Sequence, residues 1–207
     1  MANVGHPCQP STAHVAPKSF AQLVSLACHD LRTPLATASG FARTLERLDE
    51  IGQPADRYVE MIGAATDQLA ELLDLLGAAA RIEAGRFEPQ LRATDTRALA
   101  DAAAERIPDD RASVEGRGAD VLADPDWAPA SVGALAEAAR RHGGLERITI
   151  NVDGPVVSIA PIVDNAGTIA VGDDLRDFAA AVGTLVLETG GVSLELDGET
   201  LRVSFPE

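Results

Sequence analysis

His29, Asp30, Arg32 and Thr33 fall within one short stretch, His29-Asp30-Leu31-Arg32-Thr33-Pro34-Leu35. A free imidazole titrates at ~6.5, so near neutral pH it presents an unprotonated nitrogen, which is a nucleophile. Asp30 sits directly beside that ring, and Arg32 is a cation within reach of an incoming anionic group. Such a set suits chemistry in which an exposed nitrogen attacks a charged electrophile.

The flanking sequence dictates how the histidine is held. Apolar and small residues recur as Phe20, Val24, Ala27, Leu31, Pro34, Ala38, Phe41, Leu45 and Leu48. The steps alternate four and three, which is the seam of a helix packed in a bundle. With Val24 at position a and Ala27 at d, His29 falls at f and faces away from the seam. Thr33, four residues on, lies on a neighbouring part of the same outer face. The spacing predicts a helix over 19–48, bent at Pro34, which removes a backbone donor and crowds the carbonyl four residues back.

The stretch resembles the H-box of sensor histidine kinases: a phosphoaccepting His, an acidic residue, Thr at the fourth position after the His, then Pro. The resemblance implies that His29 is the phosphoacceptor. It implies that Asp30 hydrogen-bonds or deprotonates the ring, and that Thr33 orients water against an aspartyl phosphate. On charge pattern alone Asp30 is a solvated flank charge, and Thr33 is surface filler ahead of Pro34. Arg32 is read as a phosphate or partner contact.

A second seam runs through Val59, Ile62, Thr66, Leu69, Leu73, Leu76 and Ala80, with Asp56 as its cap. Gly52 and Pro54 place a turn over 49–55. Two such helices make a hairpin that cannot bury both stripes alone, so two hairpins are expected to pair as a homodimeric four-helix bundle. Arg81-Ile82-Glu83-Ala84-Gly85 resembles the ending of the kinase dimerisation hairpin.

Composition narrows the functional classes. The net charge of -15 disfavours a nucleic-acid surface, because phosphate contacts need Lys and Arg. No apolar run is long enough for a bilayer, and no secretory leader is read at the N-terminus. Cys8 and Cys28 cannot form a disulfide framework, which fits a reducing cytoplasm. Cys28 is expected to be a half-buried packing residue on the flank of the seam. Residues 1–18 read as a disordered tail, and the spacing of His6, Cys8 and His14 there matches no specific metal site. No metal site is assigned.

From residue 89 the pattern turns to mixed α and β. Helices are expected over 95–107, within 126–142, and over 174–189. Short strands are expected near 113–115 and 120–122. Asp153-Gly154 and Asp197-Gly198 mark hairpins between strands 147–152 and 156–163, and 192–196 and 200–205. The fold class is α+β: an N-terminal helical hairpin over 19–88, then a two-layer α/β sandwich over 89–207.

This second part resembles the ATP-binding domain that follows the kinase H-box hairpin. Val121-Leu122-Ala123-Asp124-Pro125-Asp126 resembles the entry to its nucleotide helix. The resemblance then breaks down. Glu137 falls where the family's N-box has an Asn that holds Mg²⁺; a carboxylate there could meet a metal but would repel a triphosphate. Asp164-Asn165-Ala166-Gly167-Thr168 keeps the Asp of the family's Asp-x-Gly-x-Gly box, but both glycine positions carry side chains. Only 169–173 separates this remnant from the last helix, leaving no glycine-rich loop for phosphates. Gly143-Gly144 and Gly190-Gly191 read as helix stops.

The expectation is a cytoplasmic histidine phosphotransferase that holds no nucleotide or metal stably. Its partner is a response-regulator receiver domain, which supplies the aspartate and Mg²⁺. The alternatives are a non-catalytic regulator that binds a receiver, or pairs with a complete histidine kinase and is phosphorylated in trans, and a kinase using ATP weakly through Asp164 and Glu137.

Overall fold

The heptad seams do fold as helices. The computed structural model describes residues 20–46, 53–108, 111–163 and 166–206. The expected tail over 1–18, most of the turn over 49–55, and Asp164 with Asn165 lie outside these residues.

Helix α1 (Phe20–Glu46) runs through Pro34, and α2 (Gln53–Glu83) returns antiparallel to it. Helix α2 starts three residues before the expected cap Asp56. Pro54 sits in its first turn, where a missing N–H breaks no helical bond. Near the top of the hairpin Phe41 stacks on Tyr58, 5.4 Å between centroids and 22° between planes. The helix ends at Gly85, whose φ of +63° suits glycine, with Arg86 N–H donating to the Arg81 carbonyl at 2.8 Å.

The second helix has two apolar stripes. Ala65, Leu72, Ala78 and Ala79 are the buried ones, turned inward within the chain. Of the expected seam, Ile62, Leu69 and Leu76 are half-buried, whereas Val59, Thr66, Leu73 and Ala80 are exposed. The exposed set includes Val59 at 59% and Leu73 at 57%, and Leu35 on α1 is 56% exposed. The seam read from the sequence is therefore largely the outward stripe.

The C-terminal part comprises β1 (Arg92–Asp95), α3 (Thr96–Ala104), β2 (Ala112–Gly118), β3 (Asp120–Ala123), α4 (Trp127–His142), β4 (Ile148–Gly154), β5 (Val156–Ala160), α5 (Ala166–Ala170), α6 (Phe178–Thr189), β6 (Ser193–Asp197) and β7 (Thr200–Ser204). Five strands form a sheet in the order β2-β4-β5-β7-β6, and β1 pairs with β3 separately. Strand β2 runs parallel to β4, while the remaining pairings are antiparallel. Alternate residues such as Ile148, Ile150, Val157, Ile159, Leu201 and Val203 turn inward and are essentially fully buried with Leu99, Val132 and Leu135 of the helices. This is the two-layer α+β arrangement expected.

The structure adds two elements to the sequence reading. Strand β1 lies just before α3, whose cap is Asp95 accepting from Arg97 N–H at 2.8 Å. The short α5 covers Ala166–Ala170, where the sequence reading placed only the remnant of a nucleotide box. Helix α6 begins at Phe178, four residues later than expected, because Asp177 is its cap.

A second core joins the two parts of the chain. Leu23, Ala27, Leu72 and Ala79 of the hairpin share one buried cluster with Phe178, Ala181 and Val182 of α6. Phe87, in the linker, meets Trp127 edge-on at 5.8 Å. Asp124 accepts hydrogen bonds from the N–H groups of Gln90, Asp126 and Trp127 at 2.7, 3.0 and 3.1 Å. It thereby fixes the linker to the start of α4. Among the described residues no buried side-chain nitrogen or oxygen lacks a partner.

Candidate functional site

Ala27 is fully buried, and His29 lies two residues further along the same helix. At 100° per residue that step carries the side chain from the packed face to the opposite one. The His29 side chain is accordingly 75% exposed, as its f position requires. Its Nδ1 lies 3.0 Å from Asp30 Oδ1, and the Asp30 side chain is 28% exposed. An ionised carboxylate only accepts, so the proton of a neutral ring sits on Nδ1 and Nε2 keeps its lone pair. The contact thus favours the tautomer in which Nδ1 donates to Asp30 and Nε2 carries no proton.

Arg32 and Thr33 are exposed on the following turn. The Thr33 carbonyl accepts from the Thr37 hydroxyl at 3.0 Å. Pro34 is buried beneath this turn. Cys28 is exposed and free, which corrects the expectation of a half-buried packing residue. The reason is its position one residue past Ala27, where the helix has already rotated out of contact.

The residues resembling a nucleotide site sit elsewhere and do other work. Glu137, on α4, is held by both nitrogens of one fork of Arg140, Nε to Oε2 and Nη2 to Oε1, each at 2.7 Å. Arg140 Nη1 also donates to the Leu145 carbonyl at 3.1 Å, tying the pair to the end of the helix. A carboxylate occupied by a bidentate guanidinium is not a free metal ligand, which weighs against the alternative of a kinase using ATP through Glu137. Among the described residues no cluster of His, Cys, Asp and Glu has the arrangement of a metal site.

Asp164 lies outside the described residues. Gly167, in the same stretch, is buried inside α5, where an added Cβ would stand 2.7 Å from Leu196 Cδ2 and 3.0 Å from Ile162 Cγ2. This glycine serves the contact of α5 with β6. Residues 171–177 then lead directly to α6, with Asp173 and Asp174 N–H both donating to the Thr168 carbonyl.

The start of α6 is closed by a carboxylate of the chain itself. Asp177, 4% exposed, accepts from Ala180 N–H at 3.2 Å and from Arg141 Nη2 at 2.5 Å, with His142 Nε2 at 3.3 Å. The sequence reading missed this set. The signal available was an Asp at the start of an apolar helix, with Arg-His ending another. Gly144 and Gly191 have φ of +64° and +81°, as helix stops require.

Comparison with known proteins decides what the hairpin is: residues 21–85 match the His Kinase A (phospho-acceptor) domain. The match covers the hairpin and stops before the α/β part of the chain. His29 lies in the first helix of the matched region. Curated proteins yield no match. Among solved structures, the Acinetobacter baumannii histidine kinase AdeS aligns over 86% of this chain and 98% of its own, with 15% identity and a TM-score of 0.60. Full-length ShkA in complex with AMPPNP aligns over 91% of this chain but 45% of its own, with 19% identity and a TM-score of 0.52. The fold following the phospho-acceptor domain is thus the one found after it in histidine kinases. No helix among the described residues is long and apolar enough to cross a membrane.

Proposed function

We propose that the protein is a dimeric histidine phosphotransferase that exchanges a phosphoryl group between His29 and receiver aspartates without using ATP. The observation that carries the reading is the His29–Asp30 contact at 3.0 Å, which leaves Nε2 free on an exposed ring. The Nε2 lone pair attacks the phosphorus of an aspartyl phosphate. A P–N bond forms as the P–O bond to the aspartyl carboxyl breaks, and the electron pair leaves on that carboxylate. Asp30 stabilises the charge that develops on the ring through the Nδ1 proton. Attack by a second receiver's aspartate reverses the step. The receiver brings its own Mg²⁺, and Arg32 on the exposed turn adds a positive charge toward the phosphoryl oxygens.

Three features support independence from ATP. The Glu137 carboxylate is engaged by Arg140, Gly167 is spent on packing against Leu196, and Asp177 with Arg141 fills the start of α6. The residues present do not fit a triphosphate and its metal, so no step is routed through them. The exposed stripe of Leu35, Val59 and Leu73 supports a homodimer through the hairpin. Thr33 is assigned to orienting water against the receiver's aspartyl phosphate.

The test is phosphoryl labelling of the purified protein, with ATP and Mg²⁺ in one reaction and phosphorylated receivers in another, alongside His29→Ala. Label from the receiver alone, lost in the variant, is the expected result. Label from ATP would make the protein a kinase. Label only when a complete histidine kinase is added would make it a regulator phosphorylated in trans.

A further inference from the structure

We infer that α6 is a positioning element for the phosphoacceptor turn, acting through Phe178 and Val182. The inference rests on the phosphotransfer reading above and assigns a role to a domain that has no nucleotide to deliver.

The hairpin does not complete its own core at this level. Leu23, Ala27 and Leu72 reach 3%, 0% and 9% exposure in a cluster shared with Phe178 and Val182, both 0% exposed. Ala27 has only a methyl group, which lets α6 approach the α1 backbone closely. His29 stands on the same turn, pointing the opposite way. The nucleophile is therefore aimed by a helix turn whose rear face is covered by the other domain.

The cover is itself fixed. Asp177 caps α6 immediately before Phe178 and is gripped by Arg141 of α4. Asp124 and the Phe87–Trp127 contact hold the linker from the other side. The Arg141–Asp177, Gln90–Asp124 and Phe87–Trp127 ties each join residues far apart in sequence, so the place of Phe178 in the shared cluster does not depend on a single bond. Phosphoryl transfer needs near-attack alignment, and a displacement of about 1 Å can cost 10²-fold. Truncating Phe178 removes packing from the buried cluster that holds Ala27, two residues before His29.

The experiment compares Phe178→Ala with Val203→Ala, which empties an equally buried site in the sheet core away from the hairpin. The readouts are transfer kinetics from a phosphorylated receiver that labels the wild-type protein, and the NMR ring signals of His29. We expect Phe178→Ala to lower the maximal transfer rate by about tenfold or more at an unchanged half-saturating receiver concentration, and to shift or broaden the His29 signals. Val203→Ala should do neither. Should Phe178→Ala not fold, Phe178→Leu and Val182→Ala are read by the same criteria, with the leucine variant restoring most of the rate. Wild-type behaviour in all α6 variants overturns the inference, as does equal slowing by Val203→Ala. If no receiver labels the wild-type protein, the phosphotransfer reading fails. A ring signal that moves only in the α6 variants would still establish the positioning.

Discussion

At the scale of residues, the pair His29–Asp30 concentrates the chemistry into one contact. Replacing Asp30 with Asn keeps the size but removes the charge that holds the proton on Nδ1. We expect Asp30→Asn to slow transfer by about 10²-fold while the protein still binds its receiver; quenched-flow kinetics and a binding titration check the two parts. Asp124 is the corresponding pivot for structure, since a carboxylate that is 8% exposed accepts from three backbone N–H groups. Asp124→Ala leaves those donors unpaired, and a loss of roughly 1–3 kcal/mol is expected in urea unfolding. His29 and its outward direction were legible in the sequence because heptad phase is a local property. The engagement of Glu137 by Arg140 was less so. A three-residue spacing permits the pair, but whether it forms depends on how far α4 is buried.

At the scale of elements, helices and hairpin turns were read correctly wherever one segment carried its own signal. Gly154 and Gly198, with φ of +57° and +58°, stand at the turns that Asp-Gly announced. What was missed depends on distant partners. Strand β1 exists because β3 pairs with it, and the length of β2 is set by its parallel pairing with β4 across α4. Neither partner lies in the local window. The short α5 was hidden because 164–168 was read as the remnant of a nucleotide box rather than as the start of a helix. Its test is Gly167→Ala, which should cost about 1–3 kcal/mol in the unfolding of the C-terminal domain, by the overpacking against Leu196. The two stripes of α2 explain the mixed outcome for its seam: one faces inward and one outward, and periodicity alone does not say which. If the proposed homodimer forms through the outward stripe, Leu73→Asp should convert it to a monomer in sedimentation velocity while leaving the helical circular dichroism signal in place.

At the scale of the whole molecule, the fold resembles that of a histidine kinase core, and the proposed independence from ATP rests on the contacts that Glu137, Gly167 and Asp177 make inside the chain. Nucleotide that binds the folded state raises its melting temperature by mass action. We therefore expect no shift with ATP and Mg²⁺ at concentrations that stabilise an intact kinase, measured by scanning calorimetry. The buried cluster shared by the hairpin and α6 joins the two parts of the chain, so they should not melt independently.

The junction also carries its own reporter. Trp127 is the chain's single tryptophan, and it stands where the linker residue Phe87 meets the start of α4. The single tyrosine, Tyr58, lies at the far end of the hairpin against Phe41. Selective excitation of the indole therefore reads the interdomain seam and almost nothing else, with no label attached. Its emission should stay unchanged when a receiver docks if the two parts move as one body, and should move to longer wavelength if docking pries them apart.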